Sequence, residues 1–450
     1  MRDAAQRAAT YLAGEAKRGV FPSPEAVAAL QQFSAELPAG PRPVREVLQL
    51  LDEWGSPAAV DSTHGRYFGF VIGGTDPAAT GAAALASAWD QNVATPVMSP
   101  VGTHLDAIAA SWVNDLLGLP ADATAAFCAG ATVANLTCVL AARDALLHRT
   151  GWDTRTKGLT NAPPLRVVTS QEVHVSALKA LHMAGIGTDA VTFVPTDEAG
   201  RVRADQFPDV DDRTIVLLQA GNVNTGHSDP FADVIPRARA AGAWVHVDGA
   251  FGLWAAASPR LRSLVAGIEQ ADSWATDAHK WLNAPYDSGI AICAREEDLR
   301  RSFAADAAYL LGEPGRVLMH LGVQMSQRAR GVEAWAIIAA RGRSGIAEIV
   351  DNCCDRAQEF ASLLEAEGAQ ILAPVALNQV LVHFRDDATT DAVIAAVQRD
   401  GTCWAGGTTW QGRRAMRLSV SDVATTPEDI AVSARAILRC WKQVENDERK

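Results

Sequence analysis

Between about residues 60 and 340, short apolar segments rich in β-branched residues alternate with amphipathic helical segments, and this alternation limits the fold more than any other feature. It predicts parallel strands joined by helices that cover both faces of one sheet, an α/β fold. The predicted helices include residues 174–184 and 231–241, the second with Asp229 as its N-cap and Pro230 at its first position. The predicted strands are residues 165–169, 191–195, 214–219, 243–247 and 288–294.

Two further regions flank this α/β region. Residues 1–60 are predicted to form a helical segment that is interrupted where prolines cluster. Residues 345–450 begin with a helical pattern, continue with the strand-like runs QVLVHF and AMRLSV and end with a helix. Such segregation predicts a small C-terminal α+β domain, so the large α/β domain is placed at residues 61–344.

Charge and cysteine content exclude several classes of function. The formal net charge of −12 argues against binding to nucleic acid or to anionic membranes. The seven cysteines form no CxxC pair and no metal-binding pattern, which predicts reduced, buried thiols and no metal site. The charged N-terminus and the absence of a long apolar run predict a cytoplasmic protein that acts on a small molecule.

Lys280 is the residue whose position most needs a chemical reason. It lies between His279 and Trp281 in the segment ATDAHKWLNAPYDSG, just after a strand-like run. Lysine is usually kept on solvated surfaces because removing its ammonium group from water is costly. The ends of strands in a parallel sheet are also where ligands gather. The position therefore points to a chemical role for this amine.

Asp248 ends another apolar run, in the segment AWVHVDGAFG. A carboxylate that follows an apolar strand and precedes two small residues is poorly solvated unless it meets a cation. The sequence therefore predicts a buried positive charge opposite Asp248.

Two further positions begin helices directly after strand-like runs. An apolar run stops at Gly130, and the following Ala131 and Thr132 open a helix whose free N–H groups favour a phosphate, although a plain helix N-cap is an equal alternative. His174 opens a helix after the strand LRVVTS, and an ordinary polar contact is its simpler interpretation. Together, these features comprise a nucleophilic amine, a carboxylate for a cation, an aromatic ring and a phosphate site. Pyridoxal 5'-phosphate requires this set.

The order of five segments carries a family resemblance: GATVAN, HVSALK, HVDGAFG, DAHKW and SQRARGVEAW. It resembles the pyridoxal-phosphate-dependent group II amino acid decarboxylases, the family of aromatic amino acid, histidine and glutamate decarboxylases. The resemblance covers about residues 60 to 350. It implies the fold-type I architecture of aspartate aminotransferase and a homodimer with active sites at the subunit interface.

The resemblance also implies roles for individual residues. Lys280 would hold the cofactor's aldehyde as a Schiff base, and Asp248 would pair with the pyridinium nitrogen. His174 would stack on one face of the ring, and Ala250 would pack beneath it. The implied reaction is decarboxylation of an L-amino acid to an amine and carbon dioxide, with Tyr309 as the proton donor unless it is only a structural tyrosine.

The phosphate end of the implied site departs from the family pattern at Asp277. Ala131, Thr132 and His279 would lie at or near the phosphate. Asp277 and Ala278 stand where the family commonly has Asn and Pro. An additional carboxylate near a phosphate is unfavourable unless it points away or is neutralised.

A second departure lies in the segment QAGNVNTGHSDP, which resembles the family's Gly-Thr-Thr turn. It carries Asn222 and Val223 where hydroxyl residues are usual. The contact with the cofactor is therefore expected to be lost or to move to Asn224 or Thr225.

The substrate and the bond that breaks are the least determined features. The twelve Trp residues could line an aromatic pocket, although packing in the core or an interface is their simpler interpretation, and we predict an aromatic or medium-sized apolar L-amino acid. Any of Arg413, Arg414 and Arg417 could receive a carboxylate, with surface solvation the simpler interpretation for the first two. Aminotransferases, retro-aldol lyases and aldehyde synthases share the cofactor and fold and are alternatives, and a non-catalytic binding protein is a more distant one.

Overall fold

The computed structural model describes residues 1–13, 18–33, 36–305 and 316–449. Within these ranges, seven strands form the large sheet in the order β1-β7-β6-β5-β4-β2-β3. The strands are β1 (Thr124–Cys128), β2 (Arg166–Ser170), β3 (Val191–Val194), β4 (Thr214–Gln219), β5 (Trp244–Asp248), β6 (Ser273–Asp277) and β7 (Gly289–Cys293).

The direction of the strands confirms the prediction of a mostly parallel sheet. Strands β2 to β6 pair with one another in parallel, whereas β7 runs antiparallel to both β1 and β6. It follows that β1 and β6 run in the same direction. The predicted strands agree with the structure to within about one residue at each end, but β1 and β6 were not among them.

Helices cover both faces of this sheet, as the alternating sequence pattern predicts. The helices of the described residues are α1 (Arg2–Ala13), α2 (Pro24–Ala29), α3 (Val44–Leu50), α4 (Ser56–Ala58), α5 (Pro77–Trp89), α6 (Pro100–Leu117), α7 (Ala131–Arg149), α8 (Thr154–Lys157), α9 (Val175–Met183), α10 (Phe231–Ala240), α11 (Glu296–Phe303), α12 (Arg330–Glu365), α13 (Asp387–Asp400) and α14 (Pro427–Glu448).

The two faces of the sheet have separate apolar cores. Val216 of β4 belongs to the core that the sheet shares with α6, α10 and α12. Its neighbour Ile215 belongs to the core shared with α7, α9 and α11. Successive side chains of a strand point to opposite faces, so a strand that is covered on both sides is apolar throughout.

The start of α10 corrects one prediction, because Asp229 does not cap this helix. Pro230 occupies the N-cap position, and no side chain makes a capping hydrogen bond there. The Asp229 carboxylate instead accepts hydrogen bonds from the backbone N–H groups of Gln219 (2.7 Å) and Val202 (2.8 Å). Burial raises the pKa of Asp229 to about 6. The carboxylate therefore connects the end of β4 to the loop after β3, because it satisfies two backbone N–H groups that would otherwise lack a partner.

The C-terminal region forms the predicted small α+β domain. Its described strands form a second, four-stranded sheet in the order β10-β11-β9-β8, which packs against α12 and α13, and α14 packs on these two helices. Helix α12 enters this domain through a kink at Gly342, where φ is +62°. The strands are β8 (Gln370–Ile371), β9 (Gln379–His383), β10 (Gly406–Trp410) and β11 (Arg413–Ser419).

The chain between the N-terminal helices and α5 joins the two domains. The Phe68 N–H donates to Trp404 O at 2.9 Å, and the Ser419 N–H donates to Phe68 O at 2.9 Å. Both hydrogen bonds join Phe68, which lies within the predicted large domain, to residues of the small domain. The domain boundaries at residues 60 and 344 stay a prediction.

The N-terminal helices pack loosely on the rest of the chain. Helices α1 to α4 contain no buried residue, although Arg7 of α1 donates to Asp52 at 2.8 Å. Among the described residues, every helix is too short or too polar to span a lipid bilayer. All seven cysteines are described, and each is a buried free thiol.

Candidate active site

One edge of the large sheet collects the polar residues that the sequence singles out. Strands β1, β2, β4, β5 and β6 all end there, and β7 begins there. A cavity of about 260 Å³ opens at this edge. Lys280, Asp248 and His174 line it together with residues at the start of α7. The sheet order therefore brings together side chains that are far apart in the chain, such as Thr132 and Lys280, which are 148 residues apart.

Lys280 faces this cavity from the turn that follows β6. Its Nζ lies 3.0 Å from Oδ2 of Asp277, and its side chain is 18% exposed. The buried Asp277 carboxylate is its counter-ion, so the ammonium group does not depend on bulk water for stabilisation. The turn places a reactive amine in a pocket.

The carboxylate of Asp277 also binds the N-terminus of α7. Its Oδ1 accepts a hydrogen bond of 2.5 Å from the Ala131 N–H, and its Oδ2 lies 3.5 Å from His279 Nε2. Lys280 and the helix N-terminus therefore neutralise the additional carboxylate that the sequence places here. The protein's own carboxylate thus accepts one of the N–H groups, that of Ala131, for which the sequence analysis considered a phosphate.

A close contact between two glycines shapes the start of α7. Gly130 has a φ of +134°, which side chains rarely tolerate. Strand pairing places Cys128 opposite Gly289, and a Cβ atom on Gly289 would lie 2.4 Å from Gly130 Cα. Only glycine allows this approach, which brings the following Ala131 and Thr132 to the cavity wall.

Asp248 ends β5 and points its carboxylate toward the cavity. Oδ2 accepts a hydrogen bond from Asn135 Nδ2 at 3.0 Å, and Oδ1 accepts one from the Ala250 N–H at 3.3 Å. The residue is 3% exposed. Burial raises the pKa of Asp248, and the nearby Lys280 ammonium group opposes that rise. A cation in the cavity would stabilise the ionised carboxylate.

His174 is the N-cap of α9, in agreement with its predicted place at the start of a helix. Its Nδ1 accepts a hydrogen bond from the Ser176 N–H at 3.2 Å. Burial lowers the pKa of His174, so the ring is neutral at physiological pH and carries its proton on Nε2. This neutral ring forms part of the cavity wall.

His279 is held from both sides beside Lys280. Its Nδ1 accepts a hydrogen bond from the Ser288 N–H at 3.1 Å, and its ring stacks on Tyr286 with centroids 4.2 Å apart. Burial lowers the pKa of His279. The ring is therefore a fixed neutral group near the start of α7.

The arginines of the SQRARG segment hold the loop that carries Tyr286 and Ser288. Arg330 Nε donates to the carboxylate of Asp287 at 3.0 Å, and Arg328 Nη2 donates to its backbone oxygen at 2.6 Å. These contacts attach the start of α12 to the loop that positions His279.

The structure does not place Asn224 and Thr225 at the cavity, which corrects their expected contact with the cofactor. Asn224 Oδ1 accepts a hydrogen bond from Thr408 at 3.0 Å, and Thr225 Oγ1 donates to Ala199 O at 2.7 Å. Both side chains stabilise the loop after β4, and Val223 reaches the cavity instead. Tyr309 lies outside the described residues, and its role stays a prediction.

Gln219 is a site residue that sequence reasoning missed. It ends β4 directly beside Asp248 of β5 and lines the cavity. Its Nε2 donates to Gly221 O at 3.1 Å, whereas its buried Oε1 has no hydrogen-bond partner. The available signal was a polar residue at the end of the apolar run TIVLLQ. A buried acceptor without a partner is costly, so this atom favours a ligand that donates a hydrogen bond.

Phe70 and Val71 were also missed, because no periodic pattern marks them. Both line the cavity with left-handed backbone angles, with φ of +57° and +59°. The Phe70 ring stacks on Trp404 at 5.5 Å, and Trp404 stacks on Tyr67 at 5.1 Å. This aromatic stack lies at the mouth of the cavity.

The residues present fit pyridoxal 5'-phosphate. Lys280 supplies an amine for the aldehyde, and Asp248 supplies an acceptor for the protonated ring nitrogen. The unpartnered Oε1 of Gln219 matches the ring hydroxyl as an acceptor. Ala131 and Thr132 stand at a helix start whose N–H groups suit a phosphate, with Asp277 Oδ1 accepting the Ala131 N–H in this structure.

Comparison with known proteins gives a family match over most of the chain. Residues 28–386 match the model of the pyridoxal-dependent decarboxylase conserved domain. An aromatic-L-amino-acid decarboxylase of Bacillus atrophaeus is 25% identical over 73% of this chain and 70% of its own length. The acidic amino acid decarboxylase GADL1 of Xenopus tropicalis is 29% identical over 70% of this chain and 63% of its own length.

Solved structures share the fold. Oryza sativa TDC, solved with PLP and tryptamine, superposes with a TM-score of 0.88 over 97% of this chain and 95% of its own, at 20% identity. Mouse CSAD superposes with a TM-score of 0.87 over 97% of this chain and 98% of its own, at 21% identity. These similarities confirm the fold-type I architecture that the sequence resemblance implied.

Proposed function

The chain belongs to the pyridoxal-dependent decarboxylase family, and we propose that it decarboxylates an L-amino acid to an amine and carbon dioxide. The observation that carries the proposal is the convergence of Lys280, Asp248 and His174 with the start of α7 on one cavity. A binding protein without catalytic activity has no need of a half-buried lysine and an acceptor for a ring cation in the same pocket.

The reaction depends on what each side chain does around the bound cofactor. When bound, pyridoxal phosphate supplies a cationic ring that accepts the electron pair left at Cα when the carboxylate departs. Asp248 keeps the proton on the ring nitrogen by stabilising the positive charge. Lys280 is the amine that would hold the cofactor through its aldehyde group until a substrate amine takes its place. His174 and Ala250 would enclose the ring, and the unpartnered Oε1 of Gln219 would offer an acceptor to its hydroxyl group.

The phosphate end of the site leads to a prediction for Asp277. We expect Asp277→Asn to strengthen the binding of pyridoxal phosphate by at least about tenfold, because a buried carboxylate beside the phosphate repels it. Absorbance titration of the apoenzyme measures this affinity. Pyridoxal, which lacks the phosphate, is the matched control ligand, and its affinity should increase much less.

The comparison of pyridoxal phosphate with pyridoxal separates repulsion between Asp277 and the phosphate from the loss of the ion pair between Asp277 and Lys280. Removing the Asp277 counter-ion changes the reactivity of the Lys280 amine equally toward both aldehydes. An unchanged ratio of the two affinities would contradict electrostatic competition between Asp277 and the phosphate.

The mouth of the cavity supports an aromatic or medium-sized apolar substrate. Phe70, Val71 and Phe251 line the cavity, and Trp404 stacks behind Phe70. Such a surface favours an apolar side chain and offers a face for ring stacking.

Arg417 is the residue that we propose for the substrate's α-carboxylate. Its Nη1 lies 3.4 Å from the backbone oxygen of the cavity residue Val223, and its charge contributes to the lowered pKa of His174. Burial lowers the pKa of Arg417, and no carboxylate in the described ranges pairs with it. By contrast, Arg413 donates to Gln370 and Arg414 binds Asp391.

We expect Arg417→Ala to raise KM for the amino acid by about ten- to one-hundredfold, the range for a lost hydrogen bond to a charged group. Inhibition by the product amine, which lacks the carboxylate, should change much less. Arg413→Ala on the same strand is the matched control and should leave KM unchanged. Equal losses of affinity for the amine and the amino acid would show that Arg417 does not bind the carboxylate.

The reaction itself is tested by product analysis. The purified protein with added pyridoxal phosphate is incubated with each of the twenty amino acids, and carbon dioxide, amine, keto acid and aldehyde are measured. Carbon dioxide and amine in equal amounts support decarboxylation. Keto acid without gas would indicate an aminotransferase, and aldehyde with gas would indicate an aldehyde synthase.

We also propose that the chain forms a homodimer with the cavity at the subunit interface. Exposed apolar side chains lie at and near the mouth: Phe70 is 64% exposed and Tyr286 is 59% exposed. An exposed apolar patch of this kind indicates an interaction surface. Sedimentation velocity over a range of concentrations tests this proposal, and a monomer throughout would reject it.

A further inference from the structure

The carboxylate of Asp248 is the end of a hydrogen-bonded chain that runs into the protein core. The other members of this chain are Asn135, His246, Ser273 and Trp244, and all four side chains are buried. The contacts are Asn135 Nδ2 to Asp248 Oδ2 (3.0 Å), His246 Nε2 to Asn135 Oδ1 (2.8 Å), His246 Nδ1 to Ser273 Oγ (2.9 Å) and Trp244 Nε1 to Ser273 Oγ (2.9 Å).

Donor and acceptor chemistry determines the direction of every bond in this chain. An ionised Asp248 can only accept, so Asn135 presents its amide nitrogen to it and its amide oxygen to His246. His246 must then carry its proton on Nε2, and its bare Nδ1 accepts the Ser273 hydroxyl proton. The remaining lone pair of Ser273 accepts the indole N–H of Trp244, which can only donate.

The histidine in this chain is uncharged. His246 is 0% exposed, and burial lowers its pKa to about 4. A neutral imidazole has one donor and one acceptor nitrogen, which is what the two neighbours require. The chain therefore adds no charge that would compete with a cation facing Asp248.

Helix α7 connects this chain to the phosphate end of the site. Ala131 and Asn135 are four residues apart, so they lie on the same face of the helix. Ala131 is at the cavity, and Asn135 contacts Asp248. One rigid element thus sets the distance between the N–H groups for the phosphate and the carboxylate for the ring nitrogen.

We propose that Asn135 and His246 are positioning residues, which hold Asp248 ionised and aimed at the ring nitrogen of the cofactor. This inference rests on the proposed function. Asp248 receives one hydrogen bond on each oxygen, from Asn135 and from the Ala250 N–H, and these two contacts fix the rotation of the carboxylate. His246 acts through Asn135, because it prevents the amide from turning its oxygen toward Asp248.

The test compares two cofactors that differ at one atom. Binding is measured for pyridoxal phosphate and for its analogue with carbon in place of the ring nitrogen. In the unchanged protein, the ring nitrogen should strengthen binding. His246→Leu and Asn135→Leu should reduce this preference by about ten- to one-hundredfold, the range for a lost hydrogen bond to a charged group.

Conservative and structural controls separate positioning from general damage. His246→Gln can place its amide nitrogen where Nε2 lies and should restore most of the preference. His383→Leu removes another buried histidine, which contacts Arg414 O at 2.8 Å in the small sheet, and should leave the preference unchanged. Thermal unfolding of each variant measures the loss of stability.

Nitrogen-15 NMR of the histidine-labelled protein needs no variant and tests the tautomer. We expect a His246 signal with a protonated Nε2 and a bare Nδ1 in the holoenzyme. The opposite tautomer, or a preference for the ring nitrogen that survives in both leucine variants, would overturn the inference. If the unchanged protein binds neither cofactor, the proposed function fails instead.

Discussion

Lys280→Ala is expected to lower the rate of carbon dioxide release by at least about 10³-fold, because it removes the nucleophile that holds the cofactor. Among the described residues, Lys280 is the lysine that lines the cavity. Its Nζ is held 3.0 Å from Oδ2 of Asp277. Steady-state release of carbon dioxide measures the loss.

Borohydride trapping checks the chemical cause of this loss. Reduction of the unchanged holoenzyme should add the mass of the cofactor to the peptide that contains Lys280, and the variant should show no such addition. Lys179→Ala, on the exposed surface of α9, is the matched control and should behave like the unchanged protein. A Lys280→Ala variant with nearly full activity would exclude Lys280 as the attachment point.

Asp248→Ala is expected to lower kcat by about 10²- to 10³-fold, the range found when a single stabilising contact to developing charge is removed. Without the carboxylate, the ring nitrogen loses its proton more easily and accepts the electron pair from Cα less well. The loss should appear in kcat more than in KM, because the charge is needed when the bond to the carboxylate breaks.

An N-methylated cofactor distinguishes this role from simple structural damage. A methylated ring nitrogen is permanently cationic, so it should restore part of the activity of Asp248→Ala. Asp272→Asn is the control for a buried carboxylate, because Asp272 accepts from the Val245 N–H at 2.9 Å at the opposite edge of the sheet. Failure of the methylated cofactor to improve Asp248→Ala would argue that Asp248 acts in another way.

The sequence located the main catalytic candidates because each one ends or begins a local element. Asp248 follows an apolar run, Lys280 follows another, and His174 opens a helix, and these positions do not depend on which strands are neighbours. Asp229 shows the limit of local reasoning. Its place before Pro230 suggested a helix cap, but two distant N–H groups in the folded chain compete successfully for the carboxylate.

Residues whose role depends on long-range pairing could not be found in this way. Gln219 became a site residue because β4 lies beside β5, and Asn135 became a partner of Asp248 because α7 packs on the same strands. The expected contacts of Asn224 and Thr225 came from the family resemblance, whereas in the folded chain these side chains bind Thr408 and Ala199, which are distant in sequence.

The sequence by itself determined the α/β class, five of the seven strands of the large sheet, and the side chains that stand at the ends of apolar runs, because periodicity is a local property. Only the tertiary structure decided that β1 lies beside β7 and that β7 lies beside β6. That order joins Gly130 to Gly289 and brings Asp277 to the start of α7. Strand pairing depends on packing between distant segments, which local patterns do not encode.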